Sequence, residues 1–140
     1  MALPQPLDVK AGQYVNLWLP TMSLLSWTQT HPFMVTSWAP RKQNILELFI
    51  QSHHSLTAKL QACTNLEGSV SYTAFIIGPY GHTVSVNWYE SVLAVASGFG
   101  ITRVIPYLRQ LLYGYNTSTS WVHHIHFVWQ VATLGKNALL

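Results

Sequence analysis

The sequence predicts a β + α/β chain: an antiparallel, barrel-like sheet over residues 1–86, then one strand–helix–strand unit over residues 87–140. Three observations lead there. Apolar and polar residues alternate along residues 13–19, with Val15, Leu17 and Leu19 on one face and Tyr14, Asn16 and Trp18 on the other, the period of a half-buried strand. Near residue 88 the pattern changes. A short apolar run at 92–96 breaks at Gly98-Phe-Gly100 and continues as Val104, Leu108, Leu111 and Leu112 at helical spacing. A further apolar run at 121–131 is then laid parallel to the first by a right-handed crossover.

In the first part, Pro20 ends the opening strand, residues 31–38 form a second and residues 44–51 a third, with 40–44 as the turn between them. Ser55 is placed to cap a short helix carrying Leu56, Leu60 and Cys63 on one face. Residues 65–69 read as a loop, and residues 72–77 as a strand ending at Gly78-Pro-Tyr-Gly81. In the second part, Pro106 is expected in the first helical turn, where its missing N–H is tolerated. Gly114 is expected as the C-terminal cap. One strand–helix–strand unit does not complete a doubly wound sheet, so this half is expected to be C-terminally truncated.

A length of 140 residues suits one domain or two small halves. Hydrophobic residues make up 49% and charged residues 8%, whereas soluble domains carry about a quarter charged residues. The chain is therefore short of solvating surface and suits a place within something larger. The net charge of +3 is scattered, with only Arg41 and Lys42 adjacent, so no nucleic-acid stripe is expected. Residues 11–40 carry no charge, yet Asn16, Pro20, Gln29, His31 and Pro32 interrupt them. No apolar run reaches the ~18 residues of a membrane span. The N-terminus lacks the basic region and apolar core of a signal peptide. A single cysteine, Cys63, excludes an internal disulfide.

Four segments carry candidate chemistry. Gly98 and Gly100 allow a tight turn and close approach of a ligand, and the following helix directs free N–H groups to the same place. Ile101 and Thr102 start that helix, Thr102 with a hydroxyl to offer. The same glycines would also serve a plain turn. His31-Pro-Phe-Met34 offers a polar group and an aromatic wall, or simply a buried histidine and a core phenylalanine. Ser55 and Thr57 open a helix that either faces a phosphate or is only capped. Gly78-Pro-Tyr-Gly81 joins the halves, close to a ligand or as an ordinary turn. The clusters His53-His54 and His123-His124-x-His126 lack acidic or cysteine partners nearby, and a catalytic metal normally takes three protein ligands, so no metal site is expected. No Ser-His-Asp set or carboxylate pair supports a hydrolase.

Taken together and in order, Ala11-Gly-Gln-Tyr-Val-Asn-Leu-Trp-Leu-Pro20, Trp27-Thr-Gln-Thr-His-Pro-Phe-Met-Val-Thr-Ser-Trp38, Gly78-Pro-Tyr-Gly81, Ala96-Ser-Gly-Phe-Gly-Ile-Thr102 and Ile125-His-Phe-Val-Trp-Gln-Val131 resemble the fungal ferric reductases and their NADPH oxidase relatives, over roughly residues 9–131. The resemblance implies a flavin-binding barrel (residues 1–86, N-terminally incomplete) and the start of a Rossmann-like, ferredoxin-reductase-like nicotinamide domain (residues 87–140). It implies FAD and NAD(P)H as cofactors, with haem in a membrane domain that this chain lacks. Hydride would pass from nicotinamide to flavin, and electrons would cross the membrane to ferric or cupric chelates. The chain would then sit at the cytoplasmic face of the plasma membrane.

Carried over by residue, Phe33 would pack on the flavin ring, His31 would reach its ribityl or phosphate region, and Ser37 would add a polar contact. Met34 stands where the family often has Thr, so only its backbone N–H could serve the flavin N5. Ser55 stands where the family often has Gly, before Thr57 at the FAD pyrophosphate. Gly78, Pro79, Tyr80 and Gly81 would lie near both cofactors, and Gly98, Gly100, Ile101 and Thr102 would hold NAD(P)H. The alternatives are a non-catalytic remnant or β-rich interaction module, and a soluble haem-free flavin reductase. The isolated 140 residues are expected not to reduce ferric chelates.

Overall fold

The computed structural model describes residues 1–20, 30–51, 57–58 and 72–131. The expected helix around Ser55 and Cys63 and the 65–69 loop fall outside these residues, except Thr57 and Ala58, whose backbone is helical.

The first part holds strands β1 (Ala2–Leu7), β2 (Tyr14–Trp18), β3 (His31–Met34), β4 (Gln43–Ile45) and β5 (Phe75–Tyr80). They form an antiparallel sheet in the order β3-β2-β5 and an antiparallel β1-β4 pair. The alternation read from the sequence sets the faces. Val15, Leu17 and Leu19 are buried. On the opposite face, the Tyr14 and Trp18 rings lie 5.8 and 5.0 Å from those of Tyr80 and Phe75. Val9, Val15, Leu17, Val35 and Leu46 make the core, with Leu7, Phe33, Leu48 and Ile76 packed against it.

Several expected strands change length. The second ends at Met34 and continues only as an isolated Val35–Leu48 bridge, while the third contracts to Gln43–Ile45. Beside that bridge the Thr36 N–H and hydroxyl both donate to the Glu47 carbonyl, and the Ser37 hydroxyl accepts from the Glu47 N–H. The strand expected to stop before Gly78 runs on through Pro79 to Tyr80. It lies at the sheet edge, where a residue without an N–H is tolerated. β1 had no expectation at all. Its N-terminus is held by reciprocal bonds, the Met1 ammonium to the Leu46 carbonyl and the Leu46 N–H to the Met1 carbonyl.

The second part is β6 (Ser91–Ser97), a single 3-10 turn (Gly98–Gly100), α1 (Ile101–Asn116) and β7 (His124–Gln130). β6 and β7 are parallel, in register from Ser91–His124 to Ser97–Gln130, as the crossover predicts. Ala96 is buried on one face, while Leu93 and Val95 on the other are 67% and 63% exposed. Among the described residues this two-stranded parallel sheet is thus covered by its helix on one side only.

Two helix expectations are corrected. Pro106 lies in the second turn, because the helix begins at Ile101. Its ring is fully buried, and that packing offsets the lost hydrogen bond. Gly114 is not the cap. The helix continues to Asn116, and Ser118 takes the left-handed conformation at φ 54°. The Thr119 N–H then donates to the Gly114 carbonyl and the Ser118 N–H to the Tyr115 carbonyl, which is the Schellman pattern. Gly114 is needed for space instead: a Cβ there would lie 2.8 Å from the Ser120 Cβ. Gly114→Ala should therefore destabilise the chain, although alanine in a helix interior is ordinarily favoured by about 1 kcal/mol. A denaturant midpoint that rises would refute this.

The two parts meet along α1. The Tyr107 ring lies against Gly12, and the Val84 N–H donates to the Tyr107 hydroxyl at 3.1 Å. The Trp38 and Tyr113 rings are 5.5 Å apart, and Arg109 reaches Glu47 at 2.7 Å. That ion pair is exposed, so the ring contacts carry more of the seam than the charges do.

Candidate functional site

Alternation on β3 decides which groups of His31-Pro-Phe-Met34 face where. His31 pairs with Leu17 and Phe33 with Val15, so these two side chains share the core face of the sheet. The Val35 N–H donates to the Gln13 carbonyl, which makes the pairs of Phe33 and His31 the hydrogen-bonded ones. The Met34 N–H consequently turns away from β2, toward the sheet edge beside residues 47–49. The Met34 thioether has no proton to donate, but the main-chain donor at the same position is not spent on the β2 ladder.

At this edge lies an open cleft of about 350 Å³, lined by His31, Pro32, Phe33, Met34, Phe49, Ile50, Gln51 and Thr57 from the first part and by Phe99 and Thr102 from the second. Three of the four segments singled out in the sequence contribute to it. Phe33 and Thr57, far apart in the chain, share the cleft. The Phe49 and Phe99 rings stack across it, 5.3 Å apart and inclined by 22°. Ile50 and Gln51 extend the same wall. None of Phe49, Ile50, Gln51 and Phe99 stood out in the sequence as a site residue. Phe99 carried the one available signal, an aromatic residue between two glycines.

Around the glycine turn the backbone is bare. Gly98 has φ 50°, and among the described residues neither it nor Gly100 has an atom beyond its chain neighbours within 4 Å of the position a Cβ would take. Gly100 is the N-cap of α1 and makes no side-chain capping bond. The Thr102 hydroxyl, expected to face a ligand, donates to the Phe99 carbonyl at 3.0 Å and is buried.

The remaining candidates lie elsewhere. Ser37 is buried with its hydroxyl on Glu47 and does not line the cleft. Gly78, Pro79, Tyr80 and Gly81 follow the β5 edge, with a cis bond before Pro79 and positive φ at Gly78 and Gly81. They border Tyr14 rather than the cleft. Ser55 is outside the described residues. Among the described residues no three of His, Cys, Asp and Glu come together, and no helix is long and apolar enough to cross a membrane.

The cleft suits a flavin by its own chemistry. Phe33, Met34, Phe49 and Ile50 supply an apolar wall for a planar ring. His31, Gln51 and Thr57 supply polar groups along its rim. Two glycines leave open main chain where a phosphate-bearing second ligand would approach.

Comparison with known proteins agrees with this geometry. Residues 1–84 match the family described as FAD-binding domain, and residues 89–137 match the ferric reductase NAD binding domain. Ferric reduction oxidase 5 of Arabidopsis thaliana is 34% identical over 69% of this chain and 13% of its own length. NADPH oxidase 1 of Rattus norvegicus is 30% identical over 91% of this chain and 22% of its own. Ferric reductase transmembrane component 5 of Saccharomyces cerevisiae is 30% identical over 88% and 17%. The chain thus spans between 13% and 22% of these relatives. Among solved structures, an NADH-dependent reduced ferredoxin-NADP oxidoreductase superposes on 95% of this chain and 42% of its own, with a TM-score of 0.63 at 18% identity, which shows a shared fold. With an FAD-binding match over its first 84 residues and a ferric reductase NAD-binding match over residues 89–137, the chain belongs to the ferric reductase and NADPH oxidase-like family.

Proposed function

We propose that this chain carries the flavin and nicotinamide sites of a ferric- or cupric-chelate reductase, and that the two cofactors meet in the cleft between β3 and the glycine turn. The observation that carries this reading is the cleft itself: it draws on the part matching FAD-binding domains and on the part matching a nicotinamide domain, and both contribute aromatic residues to it. The two functional units would be residues 1–86 and 87–140.

Phe33 and Met34 would bear on the flavin ring, the Met34 N–H on its edge, and His31, Pro32, Ser55 and Thr57 on its ribityl and phosphate side. Gly98, Gly100, Ile101 and Thr102 would hold the nicotinamide nucleotide, with the α1 N-terminus favouring its phosphates. Ser37 and the residues from Gly78 to Gly81 are assigned to neither cofactor. Bound FAD would accept a hydride from NAD(P)H and release electrons singly. The chain's own part is to exclude water with its aromatic wall and to fix the distance between the two rings. Relatives named as transmembrane components support a place beside a membrane; the chain would sit at its cytoplasmic face, with ferric or cupric chelates as final acceptors.

The test is to load residues 1–140 with FAD and mix them anaerobically with NADPH, following the visible flavin absorbance. Bound FAD that bleaches slowly, with no sustained turnover of a ferric chelate, is the expected result. A chain that retains no FAD would refute the reading.

A further inference from the structure

We propose that Trp129 is a positioning residue for the nicotinamide side of the cleft: its indole N–H holds the Gly98 carbonyl and so fixes the loop that stacks Phe99 on Phe49. The inference rests on the reading of that loop as the nicotinamide site.

The contact spans 31 residues of sequence, from the Trp129 Nε1 in β7 to the Gly98 oxygen, at 2.9 Å. Parallel register sets it up. Trp129 is paired with Ala96, two residues before Gly98. Opposite a methyl group, the indole has room to lie along the sheet toward the turn. The next carbonyl, that of Phe99, is taken by the Thr102 hydroxyl at 3.0 Å. Successive carbonyls of the turn are therefore held from two elements, β7 and α1.

The turn needs such restraint. Each of its two glycines has more conformational freedom to lose than any other residue would, and no atom of the described residues outside the turn lies within 4 Å of either glycine's Cβ position. With its backbone held, the turn presents the Phe99 ring to Phe49, and this stack joins the two walls of the cleft. Loosening the Gly98 carbonyl would let the ring and the open main chain beside it wander together. A nicotinamide nucleotide would then meet an unformed site and bind more weakly by the fraction of time the loop is displaced.

The experiment uses the FAD-loaded chain and Trp129→Phe, which keeps an aromatic ring and removes the N–H. Phe99→Leu and the double variant complete a cycle. Hydrogen exchange of the amides at residues 98–100 is read without nucleotide, and affinity is read by titration with NADP+. Trp129→Phe should speed loop exchange and weaken NADP+ binding about 3- to 10-fold, the worth of one neutral hydrogen bond. FAD retention and the thermal midpoint should hold. Phe99→Leu should weaken NADP+ similarly, and the double variant little further, because both changes act through one loop. Unchanged exchange, faster exchange with unchanged NADP+ affinity, or strictly additive losses would each overturn the proposal. Faster exchange in a protein whose wild type binds no NADP+ would overturn the nicotinamide reading, and the positioning role with it. A purely structural role would instead show as a lower thermal midpoint and loss of FAD.

Discussion

Replacing Phe33 with leucine in the FAD-loaded protein should weaken FAD retention about 10- to 30-fold while leaving the fold in place, the size expected for losing one aromatic face and part of its buried area. Phe33 has two roles that must be separated. It packs against the core cluster of Val9, Val15, Leu17, Val35 and Leu46, and it also lines the cleft. Phe33→Ala would affect both. It would leave a void beside Val15, its partner across the strand pair, at a cost of about 2 kcal/mol for a half-buried ring. FAD loss in that variant could then reflect a loosened sheet. Leucine keeps most of the core volume and removes only the planar face. FAD retention should therefore fall in Phe33→Leu with a thermal midpoint close to wild type. Wild-type retention in Phe33→Leu would show that the flavin ring rests on another wall, of which Phe49 is the nearest candidate in the same cleft.

The halves of the fold were legible because each has a strong period. Val15, Leu17 and Leu19 alternate and are buried as alternation requires, and the β6–β7 register follows from one short crossover. β1 was not legible. Ala2-Leu-Pro-Gln-Pro-Leu7 holds two prolines and little alternation, and it is a strand through its pairing with β4, a partner 36 residues or more along the chain that leaves no local signal. Gly114 misled because a glycine near a helix end looks like a cap, whereas contact with Ser120 is tertiary and leaves no local trace. The site divides the same way. His31-Pro-Phe-Met34 and Gly98-Phe-Gly100 are compact motifs, and both lie at the cleft. Phe49 and Ile50 sit in an ordinary apolar stretch, and the Trp129 contact spans 31 residues. Nothing local distinguishes such residues. Ser37 shows the converse: a polar residue near a motif can be engaged by the backbone, here by the Glu47 N–H that its hydroxyl accepts.

Gly12→Ala and Gly100→Ala should have opposite consequences, although each adds a single methyl group. Gly12 has φ 85°, and its Cβ would lie 2.4 Å from the Tyr107 hydroxyl oxygen and 3.0 Å from two ring carbons. The backbone strain alone costs about 1–2 kcal/mol. Tyr107 would also have to move, and its hydroxyl accepts the Val84 N–H at the seam between the two parts. Losing that bond adds about 1 kcal/mol. Gly12→Ala should thus destabilise the chain by about 2–4 kcal/mol, a drop on the order of 10 °C in thermal midpoint for a chain of this size. FAD affinity, measured below that midpoint, should change little, since Gly12 does not line the cleft. Gly100 has ordinary helical dihedrals, φ −59° and ψ −16°, and open space where its Cβ would go. Its methyl group should leave stability within about 0.5 kcal/mol, the usual span of surface changes. In the proposed nicotinamide site it would stand where a nucleotide comes up to the main chain, and NADP+ affinity should fall at least tenfold. Thermal melts and NADP+ titrations on both variants decide the matter. Equal loss of stability in the two would mean that the space beside Gly100 is already filled by the protein itself, and the glycine turn would then be a structural corner with no nucleotide to admit.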